Sequence, residues 1–396
     1  MPPRRRRRAR RSSAAPAARA PPAFGEELVE EILFRIPPDD PASLARAALV
    51  CRQWRRLVAG AAFRRRYREF HRAPPMLGFL YNRAGGFVGF TSTSSFHPRR
   101  DAGGRRWPAG GWTLDARHGR VLFASLVSTS TSHLQRLDLV VLHPITGAAQ
   151  TLHSPPFEYS HFVAALLCAA PGCDHLDCDP GGAFTVVFLG TDESEMLTSA
   201  CVYSSEAGAW SSTISVHHPL GCVLGATSAF TGNAVYFSCY RYGIARILEY
   251  HLSAEPQQLS VIGLPPGCKA RNGRPMTGDD GRLAFAAVQE SKLYIWAMED
   301  ACGKWEQRRI IELNRVLPFC ARSIETDFVS SADAFGVVIV RRGNFLFTID
   351  LKSCQVRRKV YKGAEIYNVV PYMSFCTPAL GAAFTGKEPT AGDSVS

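Results

Sequence analysis

The stretch LVVLHPITGAAQTL, residues 139–152, joins an apolar run to a polar turn and then to a second short run. Short apolar runs bounded by turn residues are typical of β-strands, so this stretch predicts a β-hairpin. The same arrangement returns at residues 201–214, 247–262, 294–311 and 346–360. These units lie about 45–60 residues apart, which is the period of four-stranded propeller blades. The repeat therefore predicts a β-propeller.

Other hairpins precede several of these units and carry a turn glycine, as in DARHGRVLF (115–123) and DDGRLAF (279–285). Together with the opening segment LGFLYN…GGFVGF (77–90), the units predict about six blades. The segment NVVPYMSF (368–375) is expected to close the ring. We therefore expect a large all-β domain over residues 76–380. The WD and double-glycine kelch signatures are absent, so a β-sandwich remains the alternative.

Residues 24–72 have a helical period instead. In FGEELVEEILFRIPP (24–38), apolar side chains recur every three or four residues, and the two prolines end the helix. Asp40 is an N-cap residue that begins a second helix at Pro41. Two more short helices are expected, one from Val50 or Cys51 to Gly60 and one that holds Phe63, Tyr67 and Phe70. Because so small a unit is weakly stable alone, the following domain or a partner is expected to complete its core.

The formal net charge of +12 is concentrated at the N-terminal end. Residues 1–25 carry +8 and residues 26–72 carry +3, which leaves +1 for the β-rich part. A nearly neutral main domain argues against broad phosphate binding, so nucleic acid is not the expected partner. Residues 1–23 are rich in Arg, Ala and Pro and are expected to form a disordered tail. Residues 381–396 are expected to form a flexible C-terminal tail.

Several patterns bear on location. No run of about 18 uncharged apolar residues occurs, so no membrane partner is expected. The N-terminal arginines are not followed by an apolar segment, which excludes a secretory signal. The run Arg4–Arg8 is compatible with a nuclear localisation signal. Twelve scattered cysteines fit reduced thiols. These patterns predict a protein of the nucleus or cytoplasm.

Four residues that could bind a metal lie close together in LLCAAPGCDHLDCDPGG (166–182): Cys168, Cys173, His175 and Cys178. Thiolates and imidazole are the ligands that zinc prefers. Their spacing packs them into one short loop rather than two knuckles, so a polar loop with incidental cysteines is the main interpretation. A metal site is the weaker alternative. H-E-x-x-H and G-x-S-x-G are absent, and neither an enzyme nor a cofactor is expected.

The helical segment resembles a known family. In EELVEEILFRIPPDDPASLARAALVCRQWRRLVAGAAF (26–63), the order of apolar residues and the V-C-x-x-W group resemble an F-box. The remainder is similar to the β-rich domain of plant, particularly grass, F-box proteins, in stretches such as FHRAPPMLGFLYN (70–82), CDHLDC (173–178) and VVPYMSF (369–375). F-boxes usually open with Leu-Pro, whereas this chain has Phe24-Gly25, which is expected to weaken the first turn and adaptor binding.

The resemblance implies the substrate-recognition subunit of an SCF-type E3 ubiquitin ligase, with no catalysis of its own. The helices would bind a Skp-type adaptor linked to a cullin–RING ligase, and the β-domain would bind an unidentified protein target. The implied adaptor-binding residues, each of which could instead serve internal packing, are Leu28, Ile32, Leu33, Ile36, Pro37, Leu44, Val50, Cys51 and Trp54.

Two alternatives stay open. A degenerate F-box would make the chain an interaction scaffold that acts without the ligase. A nuclear nucleic-acid-binding protein would use the basic segments Arg4–Arg11 and Arg52–Arg68.

Overall fold

The computed structural model describes residues 25–377 of the 396-residue chain, with short gaps. The gaps are residues 84, 100–106, 109, 129–134, 171–172, 174, 176–177, 179–180, 218–220, 224–227, 242–243, 253–257, 269–272, 300–302, 319–325, 333–335, 344 and 361–365. Both expected tails, residues 1–23 and 381–396, lie outside the described residues.

Short helices open the described chain: α1 (Glu26–Phe34), α2 (Pro41–Val50), α3 (Arg52–Ala59) and α4 (Ala61–His71). Helix α1 ends before Pro37, because a residue that precedes proline disfavours the helical conformation. Pro41 occupies the first turn of α2, and Gly60 ends α3, as predicted. Cys51 has an extended backbone, and its Sγ accepts the Trp54 amide at 3.5 Å, so α3 begins after Cys51. A further helix, α5 (Leu313–Val316), lies among the strands.

The rest of the described chain forms six antiparallel sheets, which we call blades 1 to 6. Blade 1 contains β1 (Met76–Arg83), β2 (Phe87–Ser92) and β25 (Ile366–Met373). Blade 2 contains β3 (Gly111–Arg117), β4 (Arg120–Ser128), β5 (Gln135–Leu142) and β6 (Ala149–Leu152). Blade 3 contains β7 (His161–Cys168), β8 (Phe184–Asp192), β9 (Leu197–Ser204), β10 (Ala209–Trp210) and β11 (Ile214–His217).

The other three blades follow in chain order. Blade 4 contains β12 (Cys222–Val223), β13 (Ala229–Thr231), β14 (Ala234–Arg241), β15 (Ile244–His251) and β16 (Gln258–Gly263). Blade 5 contains β17 (Gly273–Thr277), β18 (Leu283–Gln289), β19 (Lys292–Met298) and β20 (Trp305–Glu312). Blade 6 contains β21 (Thr326–Ala332), β22 (Val337–Arg342), β23 (Phe345–Asp350) and β24 (Val356–Val360).

Blade 1 closes the ring, because it combines strands from the two ends of the β-domain. Strand β25 pairs with β1, with Phe79 opposite Pro371 and Leu80 opposite Val370. The opposite side of β1 pairs with β2. The predicted closure by residues 368–375 is confirmed, and the domain is a six-bladed propeller. Six separate sheets around one ring exclude the β-sandwich alternative.

The predicted hairpins are the turns of these blades. The five repeated units form the pairs β5–β6, β9–β10, β15–β16, β19–β20 and β23–β24. The turn glycines of the preceding hairpins, Gly119 and Gly281, have φ values of 74° and 75°. Residues with a Cβ rarely adopt this left-handed conformation, which explains why glycine recurs at these turns.

A separate apolar cluster fills the space between each pair of neighbouring blades. Between blades 2 and 3, for example, Leu122 and Leu139 pack with Val186 and Phe188. The central strands contact clusters on both of their faces. This two-sided burial explains why the middle of β8, residues 186–189, is a continuous apolar run instead of alternating with polar residues.

Buried polar side chains join neighbouring blades. Between blades 1 and 2, Asn82 Nδ2 donates to the Thr113 carbonyl at 2.9 Å, and the Thr113 amide donates to Asn82 Oδ1 at 2.8 Å. Between blades 2 and 3, the Leu166 amide donates to Asp115 Oδ2 at 2.9 Å. Because these groups are buried and paired, they fix the relative positions of β1, β3 and β7.

The helices pack on the propeller next to blade 1. Phe375, which follows β25, is part of the helical core, and its ring centroid lies 6.3 Å from that of Tyr67. Asp40 Oδ1 accepts a hydrogen bond from Ser95 Oγ at 2.8 Å, and the Ala42 amide donates to Ser95 Oγ at 3.1 Å. The following domain thus completes the helical core, as expected from its small size.

Candidate functional site

The helical unit is held together by an apolar core that uses one side of each helix. The rings of Phe34 and Phe63 stack, with centroids 4.9 Å apart and planes 8° apart. The buried members are Val29, Leu33, Phe34, Leu44, Ala47, Ala48, Val58, Phe63, Tyr67 and Phe375. This core determines which apolar side chains remain outside it.

Two polar contacts fix the chain that follows α1 against α4. Tyr67 Oη donates a hydrogen bond to the Ile36 carbonyl at 2.7 Å. Burial raises the pKa of Tyr67, so its hydroxyl stays protonated and remains a donor. His71 Nε2 lies 2.8 Å from the Phe34 carbonyl. The segment that leads into Pro37 is therefore held in one position relative to the core.

Several large apolar side chains of this unit lie outside the core. Leu28 and Ile32 are 49% and 47% exposed, and they lie one turn apart on the same face of α1. Leu49 and Val50, at the end of α2, are 72% and 65% exposed. Five of the nine exposed large apolar residues in the described chain belong to these helices. Such a concentration of exposed apolar side chains is typical of an interaction surface.

The residues implied by the resemblance divide into three groups. Leu28, Ile32, Pro37, Val50 and Cys51 are exposed. Ile36 and Trp54 are half-buried against the helical core. Leu33 and Leu44 are fully buried, so in this conformation they pack internally and support the surface from beneath.

Sequence reasoning did not select Leu49 or Phe70, which are both exposed. The helical period of α2 indicates that Leu49 is exposed. Leu44, Ala47 and Ala48 form the buried side of α2, and the next residue turns about 100° away from that side. The spacing of the small alanines therefore predicts an exposed Leu49.

Gly25 occupies the N-cap position of α1, where the chain departs from the usual Leu-Pro opening. Its carbonyl accepts the amides of Leu28 and Val29, both at 3.1 Å. Glycine at an N-cap costs only a few tenths of a kcal/mol relative to the best capping residues. The first turn thus forms without the proline. Phe24 lies outside the described residues, and the effect on adaptor binding stays a prediction.

The four candidate metal ligands meet in space, in the connection between β7 and β8. The sulfurs of Cys168, Cys173 and Cys178 and a ring nitrogen of His175 all lie within 4.8 Å of one another. Burial, followed by the neighbouring Cys168 and Cys173, raises the pKa of the Cys178 thiol. The connection between β7 and β8 thus brings together all four residues that the sequence marks as possible metal ligands.

Comparison with known proteins supports the helical assignment. A family model described as F-box-like matches residues 26–69. No curated protein matches the chain. An F-box-like helical unit followed by a six-bladed propeller fits the architecture of an F-box substrate receptor.

Among solved structures, a protein from Lactobacillus plantarum is similar at 12% identity and a TM-score of 0.36, over 73% of this chain and 82% of its own. The β-propeller domain of the Trilobed protease from Pyrococcus furiosus has 10% identity and a TM-score of 0.37, over 66% and 83%. The WD40 domain of SCAP from fission yeast has 11% identity and a TM-score of 0.38, over 63% and 52%. The six-blade assignment rests on the strand pairing itself.

The helices of the described chain are all short. The longest, α4, has 11 residues, whereas a membrane span needs about 20. None of the described helices could therefore cross a bilayer.

Proposed function

We propose that this protein is the substrate-recognition subunit of an SCF-type ubiquitin ligase. The helical unit binds a Skp-type adaptor and through it a cullin–RING ligase, while the propeller binds the protein target. The chain performs no bond chemistry in this role. It raises the effective concentration of the target near the ubiquitin-loaded enzyme, which accelerates transfer without a new catalytic group.

One observation carries the proposal. The segment that matches the F-box-like family, residues 26–69, is also the segment in which the exposed apolar side chains concentrate. The helical core is complete without these exposed side chains, because the propeller supplies Phe375 to it. The exposed residues Leu28, Ile32 and Val50 are therefore available to a partner rather than needed for folding.

The binding free energy expected from this contact follows from the apolar surface that the adaptor would bury. Covering a whole Leu, Ile or Val side chain stabilises a complex by about 1.5–3 kcal/mol. About half of the Ile32 side chain is exposed. Burial of Ile32 against the adaptor thus contributes roughly 1 kcal/mol to binding. A serine in its place would also leave a hydroxyl group unpaired in the interface, which costs about 1 kcal/mol more.

The decisive experiment measures binding of the full chain to a purified Skp-type adaptor by calorimetry. Ile32→Ser is expected to weaken binding about 10- to 30-fold. Ile310→Ser is the matched control, because Ile310 is the same residue type, is 46% exposed against 47% for Ile32, and lies on β20 of the propeller. The control is expected to bind as the wild type does.

Two outcomes would contradict the proposal. If the wild-type chain does not bind the adaptor, the ligase role fails and the scaffold with a degenerate F-box takes its place. If Ile32→Ser and Ile310→Ser bind equally well, the exposed face of α1 is not the docking surface.

The location follows from the same role. We propose that the protein acts in the nucleus or cytoplasm, where this class of ligase assembles. The observation behind this proposal is the run Arg4–Arg8, which lies outside the described residues.

A further inference from the structure

A cluster of soft metal ligands lies between the two inner strands of blade 3. Cys168 is the last residue of β7, and β8 begins at Phe184. Cys173, His175 and Cys178 all belong to the loop between these strands. The ends of the loop are held together by the Ala169 amide, which donates to the Ala183 carbonyl at 3.1 Å.

Two distances within the cluster are close to those of a four-coordinate zinc shell. The sulfurs of Cys173 and Cys178 are 3.6 Å apart, and Cys178 Sγ lies 3.8 Å from His175 Nδ1. Two thiolates bound tetrahedrally to zinc at about 2.3 Å lie about 3.8 Å apart, and a thiolate and an imidazole nitrogen lie about 3.6 Å apart. All four ligand atoms lie within 4.8 Å of one another, so one ion can reach every one.

We propose that Cys168, Cys173, His175 and Cys178 bind one zinc ion that holds the β7–β8 loop in place. Three thiolates and one imidazole form the closed Cys₃His set of structural zinc sites and leave no position open for a substrate. Thiolate-rich sites also select zinc over calcium and magnesium, which prefer oxygen ligands. Each thiol releases its proton to solvent as the metal binds.

A disulfide would explain less of the geometry. A bond between Cys173 and Cys178 would use two of the four groups and would leave Cys168 and His175 without a reason to converge. Zinc accounts for the convergence of all four groups. It also accounts for the backbone conformation of His175, whose positive φ of 61° is uncommon for a residue with a side chain.

The contacts around the β7–β8 loop show which part of the propeller the metal would stabilise. Arg120, from β4 of blade 2, donates from Nη2 to the Gly182 carbonyl at 2.6 Å. The ring of His118, in the β3–β4 turn, lies 4.6 Å from the ring of His175. Tyr372 Oη, at the end of β25, donates to the Gly119 carbonyl at 3.1 Å. The zinc loop thus packs on the same end of the ring as the segment that leads to Phe375 and the helices.

The inference is independent of the proposed ligase role and is tested by metal analysis. The full chain, prepared with added zinc and then dialysed, is expected to retain one zinc ion per molecule in elemental analysis. Cys173→Ser and Cys178→Ser are expected to reduce the zinc content at least tenfold. Cys354→Ser is the matched control, because Cys354 is also half-buried in a turn but lies in blade 6.

A second measurement keeps the test decisive if a variant fails to fold. Cobalt bound to the wild-type chain is expected to give the visible absorption of a tetrahedral site and a near-ultraviolet band from thiolate ligands. Removing the zinc with a chelator is expected to make the loop between Cys168 and Phe184 more sensitive to protease. The proposal would be overturned if the wild-type chain retained no zinc. It would also be overturned if mass spectrometry found a Cys173–Cys178 disulfide in protein prepared under reducing conditions.

Discussion

Ile32 and Leu33 are neighbours in α1 with opposite environments, since Ile32 is 47% exposed and Leu33 is 0% exposed. Successive residues of a helix point about 100° apart, so the two side chains serve different contacts. Leu33 packs in the helical core, whereas Ile32 faces outward next to Leu28. Two adjacent substitutions are therefore expected to separate the stability of the helical unit from the proposed adaptor binding.

We expect Leu33→Ala to lower the free energy of unfolding by about 2–5 kcal/mol, because it leaves a cavity in the core. Ile32→Ala is expected to change that free energy by less than about 1 kcal/mol but to weaken adaptor binding. Differential scanning calorimetry and a binding titration on both variants check the prediction. Equal destabilisation by the two substitutions would contradict the assigned environments.

At the residue scale, the sequence predicted much of the helical unit but not the environment of each apolar position. The period identified the apolar residues of α1 and α2, and Pro41 and Gly60 marked the helix ends correctly. Leu33 and Leu44 are among the residues that the resemblance implies for adaptor binding, yet both are buried in the helical core. Both a core position and a docking position favour Leu or Ile, so residue type alone does not separate them.

At the scale of elements, the end of β25 and the helical unit depend on each other. The Ser374 amide donates to the Pro75 carbonyl at 3.2 Å, which aligns the segment after β25 with the segment before β1. Phe375 then enters the helical core. The helices are thus docked on the propeller by a residue that lies more than 300 positions later in the chain.

Phe375→Ala is expected to destabilise the helical unit selectively by about 3–5 kcal/mol, because a buried aromatic ring is removed. Hydrogen exchange should show faster exchange of the amides of α1 and α4, while the blades remain protected. Phe87→Ala is the control, because Phe87 is 68% exposed on β2, and it should leave exchange in the helices unchanged. Uniform loss of protection in helices and blades would argue against a local role for Phe375.

At the scale of the whole molecule, the ring depends on the pairing of β25 with β1. Strand β25 supplies Ile366 and Val369 to the cluster shared with blade 6, and Val370 and Tyr372 to the cluster shared with blade 2. Blade 6 is further tied to this strand by Arg341 Nη1, which donates to the Ile366 carbonyl at 2.9 Å. Loss of β25 would expose two of the six interfaces between blades.

A chain that ends after residue 365 is expected to lose cooperative unfolding and to aggregate, because blade 1 lacks its inner strand and buried apolar surface is exposed. A chain that ends after residue 377 keeps every described residue of the C-terminal strand and serves as the control. Thermal melts followed by circular dichroism, with size-exclusion chromatography, compare the two. A shortened chain that melts as the control does would show that the ring does not need closure.

The sequence by itself determined the local elements of this protein: a helical segment with its breaks, then repeated hairpins with glycine turns. These follow from periods of 3.6 and 2 residues and from turn chemistry, which act over a few neighbouring positions. Only the tertiary structure decided the register of β25 against β1, the docking of Phe375 and the meeting of Cys168 with Cys173, His175 and Cys178. The physical reason is that such contacts depend on how strands curve, twist and close into a ring, and no local period records that geometry.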